Sequence, residues 1–203
     1  MRFLKTMAIR KLKITLLSII LFYGFLLFSC KKDPIVNYPI KIGAKYQGGL
    51  IAYILQPGDP GYDPNEVHGL IAAPQDQSPG IKWDDHATFI KTSATENTYG
   101  SGKSNTEIIV QILGTGNYAA KLCADLKLGG YNDWYLPSKD ELEKLYAARN
   151  SIGGFSLDMM YWSSSEATIN TDWVWRGYFG ENAIAFGEYT KDNQFRVRAV
   201  RDF

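Results

Sequence analysis

The sequence GGYNDWYLPSKDELEKLY, at residues 129–146 and called the opening motif below, carries the clearest structural signal in the chain. Ser138 followed three residues later by Glu141 has the spacing of a capping box. In that motif the serine side chain accepts a hydrogen bond from the third helical N–H, and the glutamate side chain accepts one from the N–H of the serine. We therefore predict a helix from residue 139 to about residue 150, which Gly153 and Gly154 terminate.

Helical periodicity also precedes this motif. One apolar face runs through Ile108, Ile109 and Ile112, and a second runs through residues 118–126 after a Gly-Thr-Gly break. These patterns predict one or two further helices. Residues 74–103 lack such periodicity and are predicted to be a long loop, with Trp83 as its one large apolar anchor.

Strand patterns lie on both sides of the helices. The early runs at residues 50–55 and 68–73 are rich in β-branched and apolar residues and predict a hairpin with a long loop. Four more strands are predicted at residues 161–165, 173–179, 183–189 and 195–200, the last with Arg196 and Arg198 alternating with apolar residues. The order of strands, helices and strands predicts an α+β fold with small antiparallel sheets and two to three helices.

The composition excludes one class of function. Residues 1–29 hold five of the 22 lysines and arginines and none of the 21 acids, which leaves 22 − 5 = 17 bases and a net charge of 17 − 21 = −4. A nucleic-acid binder needs a basic patch to neutralise phosphates, so nucleic-acid binding is not expected. With 45% apolar and 14% aromatic residues, the chain fits one folded domain, which we assign to residues 42–203.

The N-terminus has the pattern of a signal peptide. Five basic residues precede an apolar stretch at residues 14–28, which is shorter than the roughly 20 residues of a spanning helix. Residues 1–29 therefore resemble a signal peptide that ends, at Ser29-Cys30, in a bacterial lipobox. We expect Cys30 to become the acylated first residue, followed by a polar tether to residue 41, because two or three acyl chains anchor a protein stably. Lys31 stands where an inner-membrane retention signal would have an aspartate, so the outer membrane is expected. Which face of that membrane carries the domain stays open, with the surface favoured over the periplasm.

Several motifs that suggest chemistry have simpler interpretations. The stretch GSGKS at residues 100–104 resembles a phosphate loop, but Asn97 replaces its first glycine and no apolar strand precedes it, so no nucleotide is expected. His86 lies beside Asp84 and Asp85, yet no second histidine follows at helical spacing, and we interpret it as an exposed loop histidine.

The remaining polar candidates are also weak. Asp59, Asp63 and Glu66 lack the tight alternation of a calcium loop, so no cofactor or metal site is predicted, although calcium stays an alternative. Cys123 lies on the apolar side of a predicted helix and is expected in the core. No catalytic residue is assigned.

The aromatic residues offer the best candidate site. Trp134 and Trp162 lie in regular elements and are expected to be buried. Trp173 and Trp175 point to the same face of one strand, where they form either a core seam or a binding surface. Together with Asn170 and Asp172 in the preceding loop, these two tryptophans are our predicted ligand-binding residues.

Several ordered blocks carry a resemblance to a known family. Besides the opening motif they are GGLIAYIL, HGLIAAPQDQS, GSGKSNTEII, YWSSSE, WVWRGYF and the closing RVRAVRDF. They resemble a family of bacterial surface domains of unknown function, related to the C-terminal domain of the Legionella collagen-like adhesin, in its lipoprotein form. The resemblance covers about residues 42–203 and implies a C-type-lectin-like fold, which sulfatase-modifying enzymes share.

The predicted anchor, the lectin-like fold that the resemblance implies and the lack of catalytic groups together predict a lipid-anchored, non-catalytic binding module for a glycan or a protein, adhesin-like in character. The sulfatase-modifying enzymes bind copper through paired cysteines, whereas Cys30 is assigned to the lipid and Cys123 stands alone, so their activity is not expected here. The collagen-like repeats of the adhesin are also missing from this sequence. Two alternatives stay open: an enzyme of the same fold, and a structural lipoprotein of the cell envelope.

Overall fold

The structure, a computed structural model, describes residues 40–181 and 183–203, so the predicted signal peptide and Cys30 lie outside the described residues. The described part forms β1 Lys45–Tyr46, β2 Gly49–Ile54, β3 Gly69–Ala72, β4 Ser78–Ile81, α1 Gly102–Leu113, α2 Ala119–Ala124, α3 Lys139–Ile152, β5 Met159–Glu166, β6 Trp173–Phe179, β7 Ile184–Thr190, β8 Phe195–Val197 and β9 Val200–Asp202. The prediction of an α+β fold with small antiparallel sheets and two to three helices is confirmed.

A four-stranded sheet has the order β1-β2-β3-β9 and brings the C-terminal strand beside the early hairpin. All its pairings are antiparallel, and Ile71 of β3 pairs with Ile51 on one side and with Arg201 on the other. The predicted hairpin is confirmed as β2 and β3. Every residue of β3 is buried, because Ile71 packs in one core cluster and Leu70 and Ala72 pack in the other.

A five-stranded sheet has the order β4-β8-β5-β6-β7. Strands β6 and β7 form a regular antiparallel hairpin in which Trp175 lies opposite Glu188. The contact between β5 and β8 is parallel and pairs Tyr161 with Arg196. Strand β7 is therefore at one edge of the sheet, and the surface of the β6–β7 hairpin carries the site described below.

The prediction of one strand over residues 195–200 is wrong, because β8 and β9 belong to different sheets. Arg198 lies between them and is 1% exposed. Its Nε donates to Asp76 Oδ1 at 2.8 Å, and its Nη1 donates to the carbonyl of Ala73 at 3.1 Å. The chain thus crosses between the sheets around a buried ion pair, and its arginines do not simply alternate with core residues.

Strand β4 lies within residues 74–103, for which we predicted a loop. The sequence does not predict this strand because it contains Pro79 and Gly80, and both residue types are depleted in strands. Proline is tolerated here because β4 is an edge strand. Trp83 is confirmed as the anchor of the following loop, since it is fully buried and its Nε1 donates to the carbonyl of Ser163 at 2.9 Å.

The three helices agree with the sequence patterns, although α1 begins at Gly102 and α2 is short. The capping box is confirmed: Ser138 Oγ accepts from the N–H of Glu141, and the N–H of Ser138 donates to Glu141 Oε2 at 2.7 Å. Helix α3 ends where Gly153 adopts a φ of 66°. No helix in the described part of the chain is long and apolar enough to cross a membrane.

The first half of the opening motif contacts the four-stranded sheet. Gly129, at a φ of +64°, packs directly on the backbone of Gly48, and a side chain at residue 129 would collide with it. Asp133 accepts two hydrogen bonds from Arg201, at 2.7 and 2.8 Å, which lower the pKa of its carboxyl. Tyr135 then pairs with Val200 through both backbone groups. Residues 129–138 therefore join the four-stranded sheet to the start of α3.

The core consists of two buried clusters. The larger includes Trp83, Trp134 and Trp162, and the smaller packs the apolar face of α3 against Tyr161 and Phe179. Burial of Trp134 and Trp162 is confirmed at 2% and 0% exposure.

Candidate functional site

The four predicted ligand-binding residues lie together where β5 turns into β6. The N–H of Trp173 donates to the carbonyl of Asn170 at 3.0 Å, and the N–H of Asp172 donates to Asn170 Oδ1 at 3.2 Å. The N–H of Ala167 donates to the carbonyl of Trp173 at 2.9 Å and closes the turn. Asn170 and Asp172 are exposed, so their side chains face solvent at the tip of this hairpin.

The two tryptophans lie on one face of β6, on which the later residues Gly177 and Phe179 are buried. Trp173 is 38% exposed and Trp175 is half-buried, whereas the alternating residues Val174 and Arg176 are buried. Successive side chains of a strand point to opposite faces, so both tryptophans occupy the same face. The choice left open by the sequence is thereby resolved for Trp173, which belongs to the surface.

Three neighbours extend this surface. Glu188 pairs with Trp175 across the hairpin, Phe186 pairs with Gly177 one step further along, and directly opposed residues share a face. Lys139, the first residue of α3, holds its Nζ 5.3 Å from the Trp175 ring and 5.2 Å from the Phe186 ring. We call the surface formed by Lys139, Trp173, Trp175, Phe186 and Glu188 the aromatic ledge.

The aromatic ledge combines the groups that bind polar ligands with apolar faces. An aromatic ring offers a flat surface for stacking, and an ammonium ion held over such rings is stabilised by their π-electrons. Lys139 supplies hydrogen-bond donors and Glu188 supplies acceptors beside the rings. The arrangement suits the stacking of a sugar ring, or of an apolar side chain, with hydrogen bonds at its rim.

A buried ion pair supports the turn that carries Asn170 and Asp172. Lys191 Nζ lies 2.5 Å from Glu166 Oε1, and both side chains are fully buried. The same carboxylate accepts from the backbone N–H groups of Thr92 and Ser93, and the N–H of Lys191 donates to the carbonyl of Asp172 at 3.1 Å. The pair therefore joins the end of β5, the start of β6 and the loop at residues 90–94.

Sequence reasoning missed three members of the aromatic ledge. The register of the β6–β7 hairpin would place Glu188 and Phe186 on the tryptophan face if the turn length were known. Lys139 is 34 residues from Trp173 (173 − 139 = 34), and no sequence signal indicates that the start of α3 meets this strand. Its proximity depends on how the helix packs on the sheet.

The stretch GSGKS has a structural role at the start of α1. The N–H of Gly100 donates to Glu141 Oε1 at 3.0 Å, and a side chain at Gly102 would collide with the same carboxylate. Glu141 thus accepts hydrogen bonds from Gly100, just before α1, and from Ser138, at the start of α3, in the position where helix N-termini can hold an anion. Desolvation raises the pKa of Glu141 to about 7, and the negative charge of Asp202 adds to this effect.

The histidine candidate lies in a structured turn. His86 Nδ1 is 2.7 Å from Asp84 Oδ1, and Asp84 also accepts from the N–H groups of His86 and Ile90. Asp85 accepts from the N–H of Asn117 at 2.6 Å. The three side chains could approach one cation together, but the buried Asp84 carboxylate already closes the turn. His86 is half-buried, so the prediction of an exposed histidine is only partly correct.

The other polar candidates are dispersed. Asp59 accepts from Tyr53 and from the N–H of Gln56, whereas Asp63 accepts from Asn65. Glu66 lies 3.5 Å from His68. Cys123 is fully buried, as predicted, and desolvation raises the pKa of its thiol.

A groove of about 500 Å³ is one of several concave surfaces among the described residues, and none of the ledge residues lines it. It runs between α1 and the opening motif, with Val110, Ala124 and Trp134 among its apolar lining residues. Its polar lining consists of Lys103, Thr106, Glu107, Gln111, Asn132 and Asp133. The Asp133 carboxylate in this groove is already held by Arg201.

Comparison with known proteins identifies one family. The family described as the Lcl C-terminal domain matches residues 73–201, which is more than half of the chain. Among solved structures, a fimbrial protein from Bacteroides ovatus is similar with a TM-score of 0.46 and 20% sequence identity, covering 75% of this chain. The alignment spans 43% of that fimbrial protein, which is less than half of its length. No curated protein sequence matches the chain.

Proposed function

Because the chain belongs to the family of the Lcl C-terminal domain, we propose that it is a surface-associated, non-catalytic module that binds a glycan or protein ligand on the aromatic ledge. The observation that carries the proposal is the exposure of Trp173 on the face that it shares with Trp175, whose ring lies close to the ammonium group of Lys139. A tryptophan needed only for the core would be buried, as Trp134 and Trp162 are.

The chemistry of the aromatic ledge favours a glycan. Sugar rings have apolar faces that stack on tryptophan, and their hydroxyl groups can accept from Lys139 and donate to Glu188. Asn170 and Asp172 add an amide and a carboxylate at the hairpin tip. A C-type-lectin-like character, which the family resemblance implies, is consistent with this ligand class, and the proposal requires no metal or other cofactor.

The proposal also includes attachment of the domain to the outer membrane through a lipid. An acylated Cys30 would hold the module on the outer membrane, with residues 31–41 as a tether and the domain facing the exterior. Two or three buried acyl chains give stable anchoring, at about 0.8 kcal/mol per CH₂ group. Membership in a family of surface domains supports this location.

Loss of either tryptophan is expected to weaken ligand binding strongly. The full chain, purified in detergent, is screened on a glycan and polysaccharide array, and the dissociation constant of the best ligand is measured by calorimetry. Trp173→Ala and Trp175→Ala should each weaken binding by about 30-fold, because truncating a central aromatic contact costs about 2 kcal/mol. Tyr62→Ala is the matched control, since Tyr62 is also 38% exposed but lies in the β2–β3 loop, and it should leave the affinity unchanged.

Other outcomes would redirect the assignment. If both tryptophan variants kept their affinity and Gln111→Ala lost it, the ligand would be assigned to the groove beside α1. Binding that disappears with a chelator would contradict a metal-free site. A folded protein that binds no glycan would favour a protein ligand, and a stoichiometric partner recovered from solubilised membranes would favour the structural lipoprotein.

The anchor has its own test. Cells that express the intact chain are labelled with an alkyne analogue of palmitate, and Cys30→Ser is compared with the unchanged protein. We expect the serine variant to lose the label and to leave the membrane fraction, because serine cannot form the thioether. Cys123→Ser should keep the label, and a labelled Cys30→Ser protein would refute the anchor.

A further inference from the structure

Arg176 differs from the other buried arginines of the described chain. It is 8% exposed, whereas Arg198 and Arg201 are 1% and 5% exposed. Among residues 40–181 and 183–203, Arg198 pairs with Asp76 and Arg201 pairs with Asp133, but no carboxylate lies within ion-pairing distance of Arg176. Burying a charged group without a counter-ion costs free energy of folding, and Arg176 is the buried arginine that bears this cost.

The geometry of the paired arginines indicates which side of Arg176 lacks a partner. Arg201 holds the two oxygens of Asp133 with its Nε and Nη2, at 2.7 and 2.8 Å, in a side-on fork. Arg176 uses Nη1 to donate to the carbonyl of Ala185 at 2.9 Å, while its buried Nε has no partner among the described residues. The side of the guanidinium that binds a carboxylate in Arg201 is thus the side that is not satisfied in Arg176.

The guanidinium of Arg176 extends over strand β7. Its Cζ lies 4.4 Å from the centre of the Tyr189 ring, and it reaches Ala185 on the same strand. Gly187 lies directly opposite Arg176 in the hairpin, and a side chain there would begin 3.4 Å from Nη2. The glycine therefore leaves room for the arginine to reach the outer strand of the sheet.

Strand β7 is the edge of the five-stranded sheet, and no described strand pairs with its outer side. An unpaired edge presents a row of backbone N–H and C=O groups that an extended peptide can join. A strand added there would bring alternate side chains onto the face of Arg176, opposite that of the aromatic ledge. A carboxylate on that strand could then complete the side-on fork.

We propose that the outer edge of β7 binds an extended segment of a partner protein whose acidic side chain pairs with Arg176. A second copy of this chain fits less well. Antiparallel pairing of two β7 strands would offer Ala185, Gly187 and Tyr189 on the Arg176 face, and none of these is acidic. The site shares strand β7 with the aromatic ledge, but it uses the outer edge of that strand and the opposite face of the sheet, so it can be present whether or not the ledge binds a ligand.

A defined peptide tests the proposal. The full chain in detergent is titrated with a fluorescent, capped peptide of sequence Thr-Val-Thr-Glu-Thr-Val-Thr and with the same peptide carrying glutamine at its centre. The glutamate peptide should bind about 10- to 100-fold more tightly, because a hydrogen-bonded charge pair is lost with glutamine. Hydrogen exchange should slow in residues 184–190 when the glutamate peptide binds, and unchanged exchange there would overturn the proposal.

Two variants of the chain complete the test. Arg176→Met should remove the preference for the glutamate peptide, whereas Arg149→Met, which removes another arginine stacked on a tyrosine, should keep it. Gly187→Asp should weaken peptide binding by about tenfold or more, because it supplies a carboxylate beside the guanidinium within the chain. Asn150→Asp adds the same charge at an exposed position of α3 and should have no effect.

Each contrary result is decisive. Equal binding of the two peptides by the unchanged protein, or full binding by a folded Gly187→Asp variant, would overturn the role of Arg176. A stable dimer that excludes the peptide and shows the same slowed exchange in residues 184–190 would replace the partner protein with a second copy.

Discussion

Lys191→Met is expected to lower the free energy of unfolding by about 3–5 kcal/mol, because it leaves the carboxylate of Glu166 buried without its counter-ion. Both side chains are fully buried, and Lys191 also donates to the carbonyl of Ile90 at 2.7 Å. Chemical denaturation followed by tryptophan fluorescence measures the loss. Glu166→Gln should have a similar effect, since it leaves the ammonium group uncompensated.

The double variant Glu166→Leu with Lys191→Met is the informative control. Replacing both members of a buried ion pair with apolar groups is often nearly neutral, but here the N–H groups of Thr92 and Ser93 would lose their acceptor. We therefore expect the double variant to be more stable than Lys191→Met and less stable than the unchanged protein. If the two single variants cost less than 1 kcal/mol each, the pair does not support the hairpin turn.

The elements that the sequence predicted correctly depend on local signals. The capping box at Ser138 and Glu141 needs only a spacing of three residues, and the apolar runs of β2 and β3 are visible in short windows. Glycines also mark real boundaries, since Gly114 and Gly153 end α1 and α3. For these elements the local preference and the final packing agree.

The elements that were missed depend on distant contacts. Strand β4 contains Pro79 and Gly80, and it exists because it pairs with β8, more than 100 residues later. The division between β8 and β9 follows from Arg198, whose partner Asp76 is 122 residues away. A pattern of alternating residues cannot indicate that two successive segments pair in different sheets.

The candidate site could be predicted only in part, because some of its residues share local spacing and others meet only through distant packing. The spacing of Trp173 and Trp175 shows that they share a face, and the turn before them contains Asn170 and Asp172. Whether that face is exposed depends on where α3 ends its contact with the sheet, and the position of Lys139 depends on the same packing. Arg176 could not be singled out, because only the structure reveals which arginines have carboxylate partners.

Stability is expected to fall as the pH rises from about 4.5 to about 7, because Glu141 has a raised pKa in the folded state. Its pKa is about 7 in the fold and 4.5 as the reference for the unfolded chain. Between these values the folded protein binds more protons than the unfolded protein, so raising the pH favours unfolding. The full difference corresponds to roughly 3 kcal/mol, and urea denaturation at a series of pH values measures it.

The matched variants separate Glu141 from other titrating groups. Glu141→Gln cannot ionise, so its stability should change much less between pH 4.5 and 8, although it should be destabilised at the acidic end. The reason is that the amide keeps one acceptor oxygen, whereas the carboxyl receives hydrogen bonds from both Gly100 and Ser138. Glu143→Gln, at an exposed position of the same helix, should retain the pH dependence of the unchanged protein. An identical pH profile in Glu141→Gln and Glu143→Gln would mean that the junction of α1 and α3 holds an ionised carboxylate throughout, and that the two helix N-termini outweigh the cost of its burial.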